Sequence, residues 1–459
     1  MSTIKVNTVT TRSGSTLTLG ESGKTVTLAS GASQSGFGRE GSVDWQTSSI
    51  KTGDFTAVSG EGYFVNTTSG TITVTLPSSP SGGAIVAVKD YASTFQTNNC
   101  TIARNGSNIE GTAANATLDG KAESVTFVYV DSTKGWVLVS EATSIYGPAF
   151  ISASGGTETT SPCGNFKIHT FTGPGTFTVS SVGNPAGSDT VEYIVAAGGG
   201  SGGGKSPGSS GGGGGGAGGF RFASPSLAPL TYPGKPLAAP AGLPVSAQGY
   251  TIQVGGGGPA SPSSPYCAPG NAGSNSVFST ITSAGGGAGA GGGQTGQGSA
   301  GGSGGGQSLS PNHPCGTVYA GNTPSVSPPQ GNPGGAAATP GNHASGGGGA
   351  IAPGAATPGS TGGNGGAGAG IPTAFGSNGE SCGSYRYYAG GAGGGGYNCG
   401  ANGVGGVGGG GNAYTGGSKP PANGTTNTGG GGGGVGAPGV SCTGGTGGSG
   451  IVIIRYKFQ

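Results

Sequence analysis

The chain has 459 residues, of which 7% are charged and 31% hydrophobic, with a formal net charge of +2. That balance leaves no electrostatic footprint for nucleic acid or an anionic membrane, and no apolar run approaches the roughly 20 residues that span a bilayer. With 114 glycines and 30 prolines, much of the chain cannot build an ordinary core of packed side chains.

Residues 1–42 are expected to form a β fibre or attachment segment. Ile4-Lys-Val-Asn-Thr-Val, Leu17-Thr-Leu and Val26-Thr-Leu are short alternating strands separated by glycine-bearing turns. One such rung cannot bury its apolar face alone, so it requires identical neighbours, and three chains make the simplest fibre. The opening Met1-Ser-Thr-Ile-Lys-Val-Asn lacks the apolar core of a signal peptide. The composition nonetheless suits an extracellular setting, rich in Thr, Ser, Asn and Gly and poor in Lys and Glu. A protein made in the cytosol and working outside a cell, as a virion component does, fits both observations.

Residues 43–140 predict an antiparallel β-sandwich. Its strands include Gly62–Asn66, Thr71–Leu76, Ala84–Asp90, Ser124–Asp131 and Gly135–Val139, with turns at Ser81-Gly82-Gly83 and Asn105-Gly106. Trp45 and Trp136 read as core or interface aromatics. Residues 141–162, with Gly147-Pro148 and Gly155-Gly156, read as a linker.

The remaining stretch, 163–459, is a glycine-rich terminal domain with a β base at 163–197 and 450–458. Between 198 and 450 the glycines gather in runs such as Gly211–Gly216, Gly346–Gly349 and Gly429–Gly434. Such runs bring no side chains and lose the most entropy on ordering. They fit either a flexible tract or packed polyglycine II helices, three residues per turn, whose amides pair between neighbours. The strand-like Thr190–Ala197 and Ile451–Phe458 at the two ends favour the ordered state, because a linker has no use for them.

Seven cysteines, at 100, 163, 267, 315, 382, 399 and 442, form no Cys-x-x-Cys pair. Cys382 with Cys399, or Cys267 with Cys315, could staple a loop, although a chain folding in the cytosol would keep its thiols reduced.

Several of these segments resemble tail-fibre proteins of tailed phages, notably marine ones. The marks are Ile4-Lys-Val-Asn-Thr-Val with Leu17-Thr-Leu-Gly, and the block from Gly62-Tyr-Phe-Val-Asn to Lys134-Gly-Trp136. In the terminal domain they are Gly175-Thr-Phe-Thr-Val, Tyr193-Ile-Val-Ala-Ala-Gly-Gly-Gly, Gly218-Gly-Phe-Arg221 and Gly448-Ser-Gly-Ile-Val-Ile-Ile-Arg-Tyr456. The terminal domain is also similar in architecture to adhesins of T-even-like phages, in which loops on packed glycine helices meet the bacterial receptor. The resemblance implies a homotrimeric virion protein. Its N-terminus would join other tail or baseplate proteins, and its tip would recognise a bacterial surface polysaccharide or outer-membrane protein, without nucleic acid, membrane insertion or a cofactor.

Enzymatic motifs fare poorly. Gly199-Gly-Ser-Gly-Gly-Gly-Lys205-Ser206 fits a phosphate-loop pattern, but Pro207 and more glycines stand where the helix should start. Glycoside hydrolysis usually needs two facing carboxylates, and from Gly198 onward Glu380 is the only acidic residue. Asp44, Asp54, Glu61, Asp90, Asp119, Glu123 and Asp131 read as solvated turn residues, and His169 as structural. His313 and His343 sit in Pro/Gly-rich loops without paired carboxylates. The three scattered histidines offer no metal set. What stands out is where aromatics interrupt the glycine frame: Tyr319, Phe375, Tyr385-Arg386-Tyr387-Tyr388, Tyr397 and Tyr414, with Tyr266 and Phe278 besides. Tyr and Arg offer large, stiff contact area with a polar handle. The same rings could equally cap glycine helices and fill gaps. The expectation is a non-enzymatic receptor-binding fibre protein whose contacts are aromatic and polar and so fairly insensitive to salt; the alternative is a structural fibre or decoration protein with the glycine region as spacer.

Overall fold

The computed structural model describes residues 43–139, 149–183, 187–205, 210–262, 268–293, 297–308, 318–337, 343–357, 361–397, 401–414, 420–436 and 443–459. The β rungs expected in 1–42 lie outside them. The chain divides into two compact units, Met1–Tyr146 and Gly147–Gln459. Among the described residues the only helical pieces are three-residue 3-10 turns.

In the first unit a five-stranded sheet runs Asp44–Trp45, Glu61–Val65, Ile85–Asp90, Ser124–Asp131, Gly135–Leu138. A four-stranded sheet runs Phe55–Thr56, Ile72–Thr75, Cys100–Ala103, Ala116–Leu118. Their apolar faces share one core of Val65, Val74, Val88, Ile102, Phe127 and Trp136. The two-layer expectation holds, but the antiparallel one does not. From Phe55 to Ala103 the chain crosses to the other sheet after every strand, so successive strands within a sheet run the same way. Gly62 pairs with Ala87 and Ile72 with Cys100 in parallel registers. Antiparallel pairing enters only with the later strands.

The second unit is built in layers around a seven-stranded sheet. Its order is Thr157–Thr160, Phe166–Phe171, Ile451–Lys457, Thr190–Ala196, Phe220–Ala223, Ala238–Ala239, with Leu243–Pro244 also paired to Thr190–Ala196. The C-terminal strand therefore lies between Phe166–Phe171 and Thr190–Ala196, antiparallel to both. Side chains alternate across a strand. Ile451 and Ile453 enter one core with Ile194, Phe220, Phe222 and Tyr388. Val452, Ile454 and Tyr456 enter another with Phe177, Tyr250 and Phe278, which belong to a five-stranded sheet on the opposite face. Burial on both faces explains why Ile451-Val-Ile-Ile reads as an unbroken apolar run. Within it Arg455 stands opposite Glu192 and forms a buried ion pair. The carboxylate also accepts from the Ser226 amide at 2.7 Å and Ser224 Oγ at 3.1 Å, as a buried charge requires.

Within the expected linker, 141–162, the described residues carry two strands. Ser152–Ser154 joins the five-stranded sheet and Thr157–Thr160 the seven-stranded one. Gly155 and Gly156, at φ of 112° and 63°, make the turn between them, where a Cβ on Gly155 would lie 2.1 Å from the Thr176 carbonyl oxygen. The two glycines connect sheets and do not loosen a tether.

Three strands of the seven-stranded sheet continue into glycine segments, and there the hydrogen bonding changes to a period of three. Gly198, Ser201 and Gly204 donate to Ser274, Asn271 and Ala268. Gly199 and Gly202 donate to Gly448 and Gly445, and Gly200 and Gly203 to Gly216 and Gly213. Each segment thus bonds to three neighbours in rotation. The segment from Gly212 repeats the scheme towards Val435, Ala290 and Ser345. Only glycine allows the spacing: a Cβ on Gly199, Gly202 or Gly203 would meet a neighbour's carbonyl oxygen at 2.1, 2.0 or 1.9 Å.

Candidate functional site

The Tyr385–Tyr388 cluster is a strand, not a loop. It is the middle of a three-stranded antiparallel sheet between Ala369–Pro372 and Glu380–Cys382. Cys382 faces Tyr385, so Gly383 and Ser384 form a two-residue turn, with Gly383 at φ 58°. Alternation then sorts the side chains. Tyr388 is 1% exposed and packs on Phe220 with ring centroids 6.0 Å apart. Its hydroxyl donates to the Asn378 carbonyl at 2.8 Å, and burial raises its pKa. Phe375 is equally buried, edge-on to Phe222 at 5.6 Å. Of the two roles the sequence allows these rings, receptor contact or gap filling, both take the second: they are core anchors in the layer beneath the seven-stranded sheet.

The half-buried Tyr385 and Tyr387 share the other face, their rings 6.4 Å apart and edge-to-face. Tyr387 lies over Gly370 of the neighbouring strand, where a Cβ would come within 2.7 Å of its ring. Burial raises the Tyr387 pKa, with Cys382 and Tyr385 adding to it. Arg386 lies between them in sequence and lines a cavity of about 370 Å³ with Thr159, Thr160, Pro162, Ile168, Thr373, Gly376 and Ser377. Glu380 anchors the outer strand: its Oε2 accepts from the amides of Gly408 and Gly409, each at 2.6 Å.

The other aromatic candidates stand apart. Tyr319 is half-buried against Gly298, and burial raises its pKa. Tyr397 is half-buried beside His343, with ring centroids 6.1 Å apart. Tyr414, also half-buried, bridges to Val435 inside the glycine body. No ring contact among the described residues joins any of the three to the Tyr385–Tyr388 strand. Tyr266 lies outside the described residues, and Phe278 is core. Cys163 and Cys382 are exposed free thiols, and Cys100 is a buried one whose pKa burial pushes up to about 12. Cys267, Cys315, Cys399 and Cys442 lie outside the described residues.

The polar residues weighed for chemistry serve the fold. Asp90 is buried, not solvated as expected, because it accepts from the amides of Thr94, Phe95 and Ala122 at 3.2, 3.2 and 3.0 Å. Asp131 accepts from Thr133 and Lys134 in a turn. His169 is buried between Gly155 O at 2.7 Å and the Tyr456 hydroxyl at 3.1 Å, and burial lowers its pKa. In the phosphate-loop look-alike, the amides of Gly199 to Gly204 all donate to neighbouring carbonyls. None is left to face a phosphate. Among the described residues no three His, Cys, Asp or Glu side chains come together, and no helix is long and apolar enough to cross a membrane.

Sequence reasoning missed Thr159, Thr160, Thr373 and Ser377, of which the fold brings Thr159 and Thr160 to Arg386 from more than 200 residues away. The one available signal was the Thr157-Glu-Thr-Thr160 strand, hydroxyl-rich and exposed throughout.

These features define a nearly all-β protein with a second unit packed through its backbone. Residues 170–457 match the model of a family described as a glycine-rich domain, and the chain belongs to that family. No curated protein matches the chain.

Proposed function

We propose that this chain is a non-enzymatic tail-fibre protein of a tailed phage, carried on the virion as a homotrimer, and that its glycine-rich unit is a receptor-binding adhesin for the bacterial surface. The observation that carries this reading is the Tyr385–Tyr387 face. Two tyrosine rings sit on one face of a strand held by the buried Tyr388 and by Glu380, with Arg386 on the strand's other face. A rigid scaffold presenting aromatic anchors is what recognition without large entropic cost needs. The three-residue rotation of hydrogen bonds in the glycine segments supports packed polyglycine II helices as that scaffold. In the first unit Val58, Tyr91, Val130 and Val139 are all more than half exposed. They supply apolar surface that association of copies would cover.

The test is binding of the labelled full chain to a panel of bacterial cells, with the double variant Tyr385→Ala/Tyr387→Ala beside it. Excising 378–388 would be a poorer test, since it removes Tyr388 from the core. The double variant should melt somewhat lower, since Tyr385 packs against the core and Tyr387 covers Gly370, and, compared where both chains are folded, should lose on the order of 2 kcal/mol of binding. Unchanged cell binding by the folded variant would favour the alternative, a structural fibre or decoration protein with the glycine region as a spacer.

A further inference from the structure

We infer that the cavity beside Arg386 binds an anionic oxygen group, a carboxylate or phosphate, borne on a saccharide. The inference rests on the proposed recognition role of the Tyr385–Tyr388 strand and names the chemistry it would select.

Arg386 lines the cavity and has no ion pair and no side-chain hydrogen bond among the described residues. No carboxylate lines it. The two acids in the flanking strands are both engaged elsewhere: Glu158 is paired with Lys167 at 2.6 Å, and Glu380 accepts from two amides. The cavity therefore carries one uncompensated positive charge. A guanidinium is always charged and its fork matches carboxylate and phosphate oxygens.

The rest of the lining suits the sugar that bears the anion. Thr159, Thr160, Thr373 and Ser377 contribute four hydroxyls, and none bonds through its side chain within the chain among the described residues. Such hydroxyls can both donate and accept. Pro162, backed by the buried Ile168, offers an apolar wall for the C–H face of a sugar ring. The volume, about 370 Å³, lies within the ~300–1,000 Å³ usual for small-molecule sites. The Arg386 backbone is fixed on both sides, opposite Ile371 and Ser381, so the guanidinium starts from a rigid base.

Calorimetric titration of the full chain decides the matter, with three probes: a glucuronate-containing oligosaccharide, the same oligosaccharide with its carboxyls reduced, and a sugar phosphate. The acidic glycan or the sugar phosphate should bind roughly ten- to hundredfold tighter than the reduced glycan, the range for a hydrogen-bonded charge. Whichever of the two leads identifies the anion. Arg386→Gln should erase that preference, and Arg386→Lys should keep part of it. Equal binding of acidic, phosphorylated and reduced probes would overturn the inference, as would a preference that survives in folded Arg386→Gln. Should that variant fail to fold, side-chain NMR of arginine-labelled wild type substitutes: an unmoved Arg386 Nε signal at saturation overturns it equally. The adhesin reading fails separately. A chain with acidic selectivity that binds no bacterial cell loses that reading alone, and cell binding without acidic selectivity loses only the cavity.

Discussion

The first unit and the glycine body of the second exclude water in opposite ways. The first packs side chains between two sheets, so its stability lies in atoms such as those of Phe127 and Trp136. The glycine body brings backbones so close that almost no side chain fits, and its cohesion lies in amides rotating among three neighbours. Subtraction should damage the first unit, and addition the glycine body.

Phe127→Ala carries the largest expected effect. Phe127 is fully buried, and truncating such a ring costs about 3–5 kcal/mol. Both tryptophans, Trp45 and Trp136, belong to the first unit. Denaturation followed by tryptophan fluorescence therefore reports that unit alone. A midpoint equal to wild type would mean that the shared core does not hold the two sheets together.

Next comes the addition of one methyl group to the glycine body, at two sites that differ only in their surroundings. At Gly203 the new Cβ would lie 1.9 Å from the Ala290 carbonyl oxygen; at Gly256 nothing lies within 4 Å. Gly203→Ala should cost about 3 kcal/mol, the upper part of the range for over-packing. Gly256→Ala should stay within about 0.5 kcal/mol, as open surface changes do. Hydrogen exchange reads both, through protection of residues 198–204 and their partners at 213–216 and 445–448. Free-chain exchange of these amides in the wild type would contradict the packed body itself.

The contrast also explains what could be read from the sequence. Thr190–Ala197 and Ile451–Phe458 announced a sheet because β-branched runs buried on both faces leave no polar gaps. The glycine segments showed that side-chain packing was impossible there, yet not which segments would be neighbours, since glycines carry no address. Parallel pairing in the first unit was hidden for a related reason: alternation marks a half-buried strand whichever way its neighbour runs. At the candidate site, the Tyr385–Tyr388 cluster was legible as composition. That Tyr388 would be fully buried and Tyr385 and Tyr387 only half-buried depended on register. The cavity at Arg386 joins Thr159 to Ser377, and no local pattern encodes that meeting.

The smallest expected effect sharpens the comparison by placing a side-chain core inside the second unit. His169 is fully buried against Phe177 and Tyr456, with centroids 5.2 and 5.6 Å away. Burial holds its pKa below the ordinary value of 6.5. Above that value the ring is neutral in both the folded and unfolded chain, and its contribution is fully present. As the pH falls below 6.5 the unfolded chain takes up the proton first, so stability is lost until the folded pKa is passed. The second unit should therefore melt lower at pH 5.5 than at pH 7.5 in calorimetry. His169→Gln should remove part of that slope; His343, whose pKa burial also lowers, should retain the remainder. The amide rotations of residues 198–204 pair backbone with backbone, away from Glu380, which takes the Gly408 and Gly409 amides, so their hydrogen-exchange protection, corrected for intrinsic rate, should follow the same slope only if the His169 core and these glycine segments unfold together. Protection that stays flat while the melting temperature falls would separate the two, and would make the glycine body a cooperative unit of its own.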